Sequence, residues 1–385
     1  MATANKRLAS LDLLRGFDLF CLLMFQPILI TWLEIENSPA LAPITNQFTH
    51  VEWQGVAFWD LIMPLFMFMS GITIPFAMSR YKQGNIVDHH FYLRLLKRFF
   101  ILFLLGWVVQ GNLLALDIRQ FHIFANTLQA IAVGYVVTAL LYIWCSFRTQ
   151  IGITILCFIT YLLIFATAGK MNYEPGTNIA EEIDRYVLGA LRDGVIWTDG
   201  TWSFTASYHY TWILSSLNFI VTVMLGSFAG HILRLQKEPI QRLKILLITG
   251  TVLVITALLM DPIFPIIKHI WSSSMTLFYG GVCFLLMGIF YYLIDIKGWK
   301  YGIGWLKYYG MNSIAAYCLF EAVNFRCISD SLFFGLEQWL GVYYPLVGIC
   351  FQSTIVLLIV KWMYDHKIFL SLIHISEPTR HAQIS

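Results

Sequence analysis

Residues 57–79 read AFWDLIMPLFMFMSGITIPFAMS and contain one ionisable side chain, Asp60. An apolar run of this length matches the roughly 20 residues that a helix needs to cross a bilayer. A charged side chain inside such a run is costly, so it usually has a partner or a task. His50 precedes Asp60 by ten residues, just outside the run, and an imidazole takes up and releases protons near neutral pH. The segment therefore indicates proton handling at a membrane edge, which is typical of chemistry or transport.

The same apolar character extends over the 385 residues of the chain, of which 58% are hydrophobic and 12% charged, with a mean hydropathy of +0.69. Soluble domains carry about 25% charged residues. The sequence therefore predicts an all-α polytopic integral membrane protein, a bundle of about ten transmembrane helices. The predicted spans are 15–33, 57–79, 99–115, 125–145, 150–169, 211–233, 244–261, 274–294, 303–323 and 340–361.

Lysine and arginine are concentrated in alternate loops, which predicts the side of the membrane for each loop. The richer loops hold residues 80–98, 148, 234–244, 297–300 and 361–367, and the poorer ones hold residues 119, 170–192, 268 and 326. Because cytoplasmic loops carry the excess of positive charge, both termini are predicted to be cytoplasmic. The loop that contains His50 and the loop of residues 170–210 are predicted to lie on the opposite side.

Residues 1–369 are predicted to form a single transmembrane domain. The last residues differ in character, because residues 370–380 read LSLIHISEPTR, which resembles the conceptual translation of a sequencing adapter. Residues 370–385 are therefore interpreted as a non-native tail, to be left out of fold reasoning. The alternative interpretation is an ordinary polar cytoplasmic tail.

Several classes of site are not indicated by the sequence. The net charge of +3 is small and shows no clustered basic face of the kind that binds nucleic acid. The seven cysteines are scattered without a CxxC pair, which favours small core residues over zinc ligands or a disulfide framework. No Gly-rich phosphate loop occurs either. We therefore expect no metal and no nucleic-acid partner.

Polar side chains recur within the predicted spans, which is the second indication of a functional site. They are Gln26, Asp60, Asn126, Gln129, Asn312 and Glu321. Each would lose hydrogen bonds to water in a lipid environment, so together they favour a polar cavity inside the helix bundle. The alternative is that single amides merely join neighbouring helices by hydrogen bonds.

Basic residues near the cytoplasmic ends of two spans form the third candidate group. Arg7 and Arg15 precede or enter the first span, and Arg94, Lys97 and Arg98 precede the third. Guanidinium and ammonium groups in these positions could bind the phosphates of a nucleotide-like donor. The alternative is a topology signal or a contact with lipid headgroups, and Arg15 could also pair with Asp12, three residues earlier.

Aromatic residues mark the long loop of residues 170–210, which includes the turn-rich stretches 172–176 and 197–200. Aromatic rings beside polar groups suit a sugar or another ring-shaped ligand. The alternative is a belt of aromatic residues at the membrane interface, which is the better interpretation for any single tryptophan here.

The motifs, taken in order, resemble one known family. They are Ser10-Leu11-Asp12-Leu13-Leu14-Arg15-Gly16, His50-x-x-Trp53-x-Gly55, Asp60-Leu61-Ile62-x-Pro64, Phe66-x-Phe68-x-x-Gly71, Leu128-Gln129, Asp295-Ile296-Lys297-Gly298-Trp299 and Gly310-Met311-Asn312-Ser313-Ile314. In this order they resemble the heparan-α-glucosaminide N-acetyltransferase family, including its bacterial DUF5009-type members. The resemblance runs from about residue 7 to residue 367, which is nearly the whole chain.

The resemblance implies a transmembrane acyltransferase over residues 1–369. Such an enzyme takes acetyl-CoA on the cytoplasmic side and acetylates the amino group of a terminal glucosamine or similar amino sugar on the far side, with no metal. It implies that His50 is the key histidine and that Gln26 stands where the family has an asparagine. It also implies a bacterial inner membrane as the location, and family members often form homodimers.

The resulting hypothesis gives each candidate residue a role. His50 acts as general base and Asp60 orients it, while Asn312, Gln26 or Gln129 stabilises the oxyanion of the tetrahedral intermediate. The CoA is bound by Arg7, Arg15, Arg94, Lys97, Arg98 and Gln129. Three alternatives stay open: His50 itself accepts the acetyl group, the protein is a glycan or glycolipid transporter or flippase without acyl transfer, or it is a non-catalytic scaffold.

Overall fold

The computed structural model describes residues 8–84, 89–205, 208–299 and 301–369. The described chain divides into two compact units. Unit 1 comprises residues 1–51, 57–62 and 289–385, and unit 2 comprises residues 52–56 and 63–288, in each case as far as they are described. The single domain expected over residues 1–369 stays a prediction, and the tail of residues 370–385 lies outside the described residues.

Helices account for most of the described chain. In chain order they are α1 (Ala9–Phe20), α2 (Gln26–Glu36), α3 (Ala42–Phe48), α4 (Ile62–Gly84), α5 (His89–Val109), α6 (Thr127–Trp144), α7 (Phe147–Thr167), α8 (Ile179–Leu188), α9 (Ser216–Arg234), α10 (Pro239–Met260), α11 (Ser273–Phe290), α12 (Leu306–Met311), α13 (Ser313–Ala322), α14 (Arg326–Phe333), α15 (Glu337–Leu340) and α16 (Tyr344–Asp365). Short 3₁₀ segments are Pro39–Leu41, Phe58–Leu61, Leu113–Ala115, Gly189–Leu191, Phe334–Leu336 and Gly341–Tyr343, and π-helical segments are Cys21–Phe25 and Tyr291–Ile296.

Eight helical segments of the described chain are long and apolar enough to cross a membrane. They are Ala9–Glu36, Phe58–Ser79, Thr127–Trp144, Phe147–Thr167, Ser216–Arg234, Pro239–Met260, Ser273–Ile296 and Arg326–Asp365. This confirms a mostly helical, polytopic membrane protein. The predicted spans 99–115 and 303–323 are not among the eight. The predicted span 99–115 overlaps α5, which carries three basic residues in its first half. The predicted span 303–323 is broken at Asn312, between α12 and α13.

Unit 1 is built on close contact between α1 and α12. A Cβ atom on Gly16 would lie 1.9 Å from the carbonyl oxygen of Leu306, and one on Gly310 would lie 1.9 Å from the carbonyl oxygen of Asp12. Both positions therefore require glycine, because any side chain would overlap the backbone of the opposite helix.

The π-helical segment Cys21–Phe25 joins α1 to α2 and is held by a distant serine. Pro27 has no N–H to give to the carbonyl of Leu23, four residues earlier. The Ser353 hydroxyl of α16 donates to that carbonyl instead, at 2.8 Å. A proline that would leave an acceptor unpaired is thus accommodated by a buried side chain of the same unit.

Unit 2 also relies on glycines where helices meet. A Cβ atom on Gly71 of α4 would lie 2.0 Å from the carbonyl oxygen of Val223 in α9, and one on Gly226 would lie 2.0 Å from that of Phe68. Helix α9 packs in addition against α6, α7 and α10, and α5 packs against α6. These contacts fix α4, α5, α6 and α9 as neighbours.

A β-hairpin in the loop of residues 170–210 departs from the expected all-α fold. Strands β1 (Val195–Thr198) and β2 (Thr201–Phe204) pair antiparallel, with Thr198 opposite Thr201. The two residues between them, Asp199 and Gly200, both have positive φ (49° and 79°). Asp-Gly is the preferred pair for a two-residue turn of this kind, so this element is encoded locally.

The same loop is tied together by buried carboxylates. Asp184 of α8 accepts hydrogen bonds from the backbone N–H groups of Trp212 (2.7 Å) and Ile213 (2.9 Å). Burial raises the pKa of Asp184 to about 7. Glu181 lies 3.4 Å from the buried guanidinium of Arg192. The loop is therefore a packed structure rather than an open linker.

Candidate active site

His50 and Asp60 form a direct pair in unit 1. His50 Nδ1 lies 2.7 Å from Asp60 Oδ1, and the backbone nitrogen of Val51 lies 3.5 Å from Asp60 Oδ2. The Asp60 side chain is 2% exposed, whereas that of His50 is 52% exposed. A buried carboxylate thus holds a histidine that remains accessible at the surface of the unit.

Local backbone structure explains this geometry. Helix α3 ends at Phe48, and Thr49 is extended (φ −115°, ψ 162°), which carries His50 away from the helix. Ala57 is also extended, and the 3₁₀ segment Phe58–Leu61 follows it, with the Asp60 N–H donating to the Ala57 carbonyl at 3.1 Å. Asp60 is therefore placed in the first turn of the span, where a carboxylate also suits the helix dipole.

The pair fixes the tautomer of the imidazole. An ionised carboxylate can only accept hydrogen bonds, so the bonded Nδ1 of His50 carries the proton. In the neutral ring the lone pair then lies on Nε2, which is the basic atom. The carboxylate also stabilises the imidazolium that forms when Nε2 takes up a proton. Chemically, this arrangement is suited to general base catalysis.

Gln26 lies close to the pair in the described structure. Its side-chain Nε2 donates to the Phe48 carbonyl at 3.0 Å, two residues before His50. Gln47 Oε1 accepts the backbone N–H of Phe58 at 3.1 Å, two residues before Asp60. These two bonds tie the start of α2, the end of α3 and the 3₁₀ segment together.

Asn312 is placed elsewhere in unit 1. It is fully buried and lies at the break between α12 and α13. Gly310, two residues before it, packs against Asp12. Asp12 and Gln26 are fourteen residues apart on one nearly continuous helical segment, a separation of about 20 Å at 1.5 Å per residue. The structure therefore does not bring Asn312 to Gln26. Glu321 is exposed in the last turn of α13.

Asn126 and Gln129 form the N-terminal cap of α6 in unit 2. The Asn126 side chain accepts from the Leu128 N–H at 3.0 Å and donates to the Gly106 carbonyl at 3.1 Å. Gln129 Oε1 accepts from Ala125 at 2.6 Å, and its Nε2 donates to the Ile123 carbonyl at 3.0 Å. Both amides are thus engaged by backbone groups. The bond from Asn126 to Gly106 joins α6 to α5, as in the alternative stated above, whereas Gln129 bonds only neighbouring residues of its own cap among the described residues. The proposed contact of Gln129 with a cofactor stays a prediction.

The predicted phosphate-binding residues fall into different settings. Arg7 lies outside the described residues. Arg15 is buried in α1 of unit 1. In unit 2, Lys97 is exposed, and Arg94 Nε donates to the His90 carbonyl at 3.1 Å. Arg98 is 3% exposed and lies over the Tyr135 ring, 3.5 Å from its centroid.

A second histidine–carboxylate pair, in unit 2, was not singled out from the sequence. Asp193 Oδ2 accepts the backbone N–H of His209 at 2.7 Å and lies 3.3 Å from His209 Nδ1. His269 Nδ1 donates to the His209 carbonyl at 2.7 Å, and the His269 ring stacks on Trp53 with centroids 5.3 Å apart. The partners lie sixteen to sixty residues apart in the chain, so no local spacing indicates them.

The described part of the chain shows neither a cluster of metal-ligating side chains nor a disulfide bond. No group of three or more His, Cys, Asp or Glu side chains is placed there to hold a metal ion. The seven cysteines are free thiols, of which Cys327 and Cys350 are exposed and Cys21 and Cys283 are buried.

Comparison with known proteins gives one informative similarity. No protein-family model matches the chain. The chain is 25% identical to heparan-alpha-glucosaminide N-acetyltransferase of Mus musculus over 331 residues, which covers 72% of this chain and 49% of the mouse protein. The chain thus spans about half the length of that relative. The similarity supports a relation to that family of transferases. The bacterial DUF5009 subtype and an inner-membrane location stay predictions.

Proposed function

We propose that this protein is a transmembrane acyltransferase that moves an acetyl group from acetyl-CoA to the amino group of an amino sugar. The observation that carries the proposal is the His50–Asp60 pair, with 2.7 Å between Nδ1 and Oδ1. The similarity to a protein named as an N-acetyltransferase of a glucosaminide supports the choice of reaction. In the proposed topology the acetyl-CoA approaches from the cytoplasm and the amino sugar from the opposite side.

The proposed chemistry follows from the protonation of the acceptor. An amino sugar is largely an ammonium at neutral pH and cannot attack until it loses a proton. His50 Nε2 takes that proton, and the amine lone pair then adds to the thioester carbonyl. As the tetrahedral intermediate collapses with cleavage of the C–S bond, its nitrogen gives its second proton to solvent, which forms the amide and releases CoA as a thiolate. The His50 imidazolium, stabilised by Asp60, returns a proton to the thiolate.

Gln26 is the amide best placed to support the oxyanion. One of its two N–H groups donates to the Phe48 carbonyl, and an amide nitrogen has a second N–H to offer. Asn312 lies at the Asp12 end of α1, and Gln129 is engaged in the cap of α6. We therefore place the oxyanion contact at Gln26 and give Asn312 and Gln129 roles in packing and capping.

The test measures transfer of radiolabelled acetyl from acetyl-CoA to glucosamine in proteoliposomes. His50→Ala should lower the rate by about 10²–10⁴, because general base catalysis contributes that much. His366→Gln is the matched control, since His366 follows the last residue of α16 and its ring has one hydrogen bond among the described residues, to the Trp362 carbonyl. Normal turnover by His50→Ala would remove His50 from the mechanism and overturn the proposal.

Two further outcomes separate the alternatives. Acid-quenched enzyme that carries label on His50 in the absence of acceptor would indicate a ping-pong reaction, in which the histidine itself is acetylated. Movement of a glycan or glycolipid across the membrane without acetyl-CoA, and without acetylated product, would indicate a transporter or flippase and contradict the acyltransferase.

A further inference from the structure

Three basic side chains of unit 2 converge on Tyr142, near the end of α6. Lys82 Nζ, from the last turn of α4, donates to the carbonyls of Tyr142 (2.9 Å) and Cys145 (3.1 Å). Arg234, the last residue of α9, lies 3.3 Å from the Tyr142 hydroxyl and also donates to the Pro75 carbonyl. The His231 ring lies 5.2 Å from the Tyr142 ring. Helices α4 and α9 thus deliver three positive or protonatable groups to one point on α6.

The charges of Lys82 and Arg234 are not neutralised by a carboxylate within the described part of the chain. Their hydrogen bonds go to carbonyl groups and to one hydroxyl. The ion pairs described for this unit join other residues, at Glu181 and Asp193. Lysine beside the last carbonyls of a helix is a common cap, so Lys82 alone would not indicate a ligand. A cap does not, however, remove the mutual repulsion of two nearby cations.

Arg98 extends this arrangement into the interior of the unit. Tyr135, Thr138 and Tyr142 are three and four residues apart and share one face of α6. Arg98 lies over Tyr135, and its Nε and one terminal nitrogen have no hydrogen-bond partner among the described residues. Thr138 Oγ1, fully buried on the same face, has none there either.

A buried guanidinium with unmatched donors needs an explanation. Leaving a buried charged donor unsatisfied costs more free energy than leaving a neutral one, and such groups are rare in native structures. A topology signal requires exposure, which Lys97 has and Arg98 does not. The open donors of Arg98 are therefore best explained by an anion that they bind.

We propose that Lys82, Arg98, Thr138, His231 and Arg234 form a phosphate-binding track along α6, called the α6 track below. Tyr142 follows Tyr135 by seven residues, which is about 10 Å along the helix and suits a ligand with more than one phosphate group. The track binds the phosphates of a nucleotide cofactor. The choice of CoA as that cofactor rests on the proposed acyl transfer. An anionic lipid headgroup offers the same chemistry from a different source.

The experiment measures the binding of CoA and of inorganic pyrophosphate to the full chain in nanodiscs of neutral phosphatidylcholine. Arg98→Gln and Lys82→Gln should each raise the Kd of both probes by about 10- to 100-fold, because each removes a charge-assisted contact. Arg148→Gln is the matched control, since Arg148 is an exposed cation at the start of α7 and is not part of the track. The Kd of Arg148→Gln for each probe should equal that of the unsubstituted chain.

Lys82→Gln also guards against a folding artefact. Lys82 is exposed and caps the end of α6, so its loss should lower the midpoint of thermal unfolding less than the loss of the buried Arg98 does. Equal Kd values for Lys82→Gln, Arg98→Gln and Arg148→Gln would overturn the track. Absence of any measurable binding of either probe to the unsubstituted chain in neutral nanodiscs would overturn it as a nucleotide site.

A second arm distinguishes the source of the phosphate. If labelled phosphatidylglycerol binds the unsubstituted chain, and the two glutamine variants lose it while CoA binding is unaffected, the track is a lipid site and the nucleotide assignment is wrong. The proposed function fails separately. Tight CoA binding that depends on the track, without acetyl transfer, would contradict the acyltransferase and leave the track in place.

Discussion

At the level of single residues, Asp60 should matter through the histidine that it holds. Asp60→Asn presents an N–H or a weaker acceptor to His50 Nδ1, which disturbs both the tautomer and the ring orientation. We expect kcat to fall by up to about 10⁴-fold, the loss seen when the wrong tautomer of a catalytic histidine is fixed, with the KM for acetyl-CoA unchanged. Asp330→Asn, at an exposed carboxylate of the same unit, is the control. A wild-type kcat for Asp60→Asn would contradict the orienting role.

His209 offers a pH-dependent prediction. Its hydrogen bond to Asp193 raises the pKa of His209 above the ordinary value of about 6.5. A histidine whose pKa is higher in the folded chain than in the unfolded chain stabilises the fold. This stabilisation is complete at a pH below the pKa of the unfolded chain and is lost as the pH rises through the pKa of the folded chain. Asp193→Asn should therefore bring the His209 pKa back toward 6.5. It should also increase amide exchange in the loop of residues 193–209 more at about pH 5 than at about pH 9.

The measurement is an NMR titration of labelled histidine side chains, with hydrogen exchange of the loop as the second readout. Asp199→Asn serves as the matched control, since it removes a carboxylate from the same loop at a positive-φ position that asparagine tolerates. Because the His209 side chain is 84% exposed, solvent screens the pair and the effect should be small. An unchanged His209 pKa in Asp193→Asn would show that Asp193 does not stabilise the imidazolium.

At the level of elements, the contact between α1 and α12 should depend on its glycines. A Cβ atom at Gly16 or Gly310 would lie 1.9 Å from a carbonyl oxygen, so Gly→Ala at either position must separate the helices. We expect a loss of about 1–3 kcal/mol or more in stability, as for other overpacked cores. Gly152→Ala in α7, where an added Cβ meets nothing within 4 Å, should be neutral or stabilising by up to about 1 kcal/mol. Thermal unfolding in detergent compares the three; equal midpoints would contradict the close contact.

The elements themselves were largely predictable, because apolar run length is a local property. The predicted spans 125–145 and 274–294 correspond to Thr127–Trp144 and Ser273–Ile296. The Asp199-Gly200 turn and the Asn126-x-x-Gln129 cap are also visible as local patterns, although their structures were not predicted. The π-helical segment at Cys21–Phe25 was not predictable, because its hydroxyl donor, Ser353, is 330 residues distant.

The candidate site, like the elements, could be predicted only in part from the sequence. The spacing of His50 and Asp60 around a span start made them candidates, and the structure pairs them. The roles of single amides could not be read from sequence, because a glutamine in a span looks the same whether it supports a site, as proposed for Gln26, or caps a helix, as Gln129 does. Likewise, Arg94, Lys97 and Arg98 read as one basic cluster, and only packing distinguishes the buried Arg98 from its neighbours.

At the level of the whole molecule, the number of spans decides the side on which most loops lie. Eight spans and ten spans both place the two termini on the same side. They differ in the middle of the chain, because a crossing by α5 reverses the side of every loop from residue 110 to about residue 300. Within unit 2, Lys82 at the end of α4 bonds the Tyr142 and Cys145 carbonyls at the end of α6. The C-terminal ends of these two spans therefore meet, so the chain between them must return across the membrane, and α5 is the helix available.

We therefore predict that α5 crosses the membrane, for which its 21 residues give about 31 Å of helix. Single-cysteine variants at Ser146 and Glu182, both exposed in unit 2, test this with an impermeant maleimide on intact cells. If α5 crosses, Ser146→Cys should be labelled only after permeabilisation and Glu182→Cys should be labelled from outside, in agreement with the positive charge near Arg148. The opposite pattern would mean that α5 does not cross, and it would place the α6 track on the outer side, beyond the reach of a cytoplasmic nucleotide.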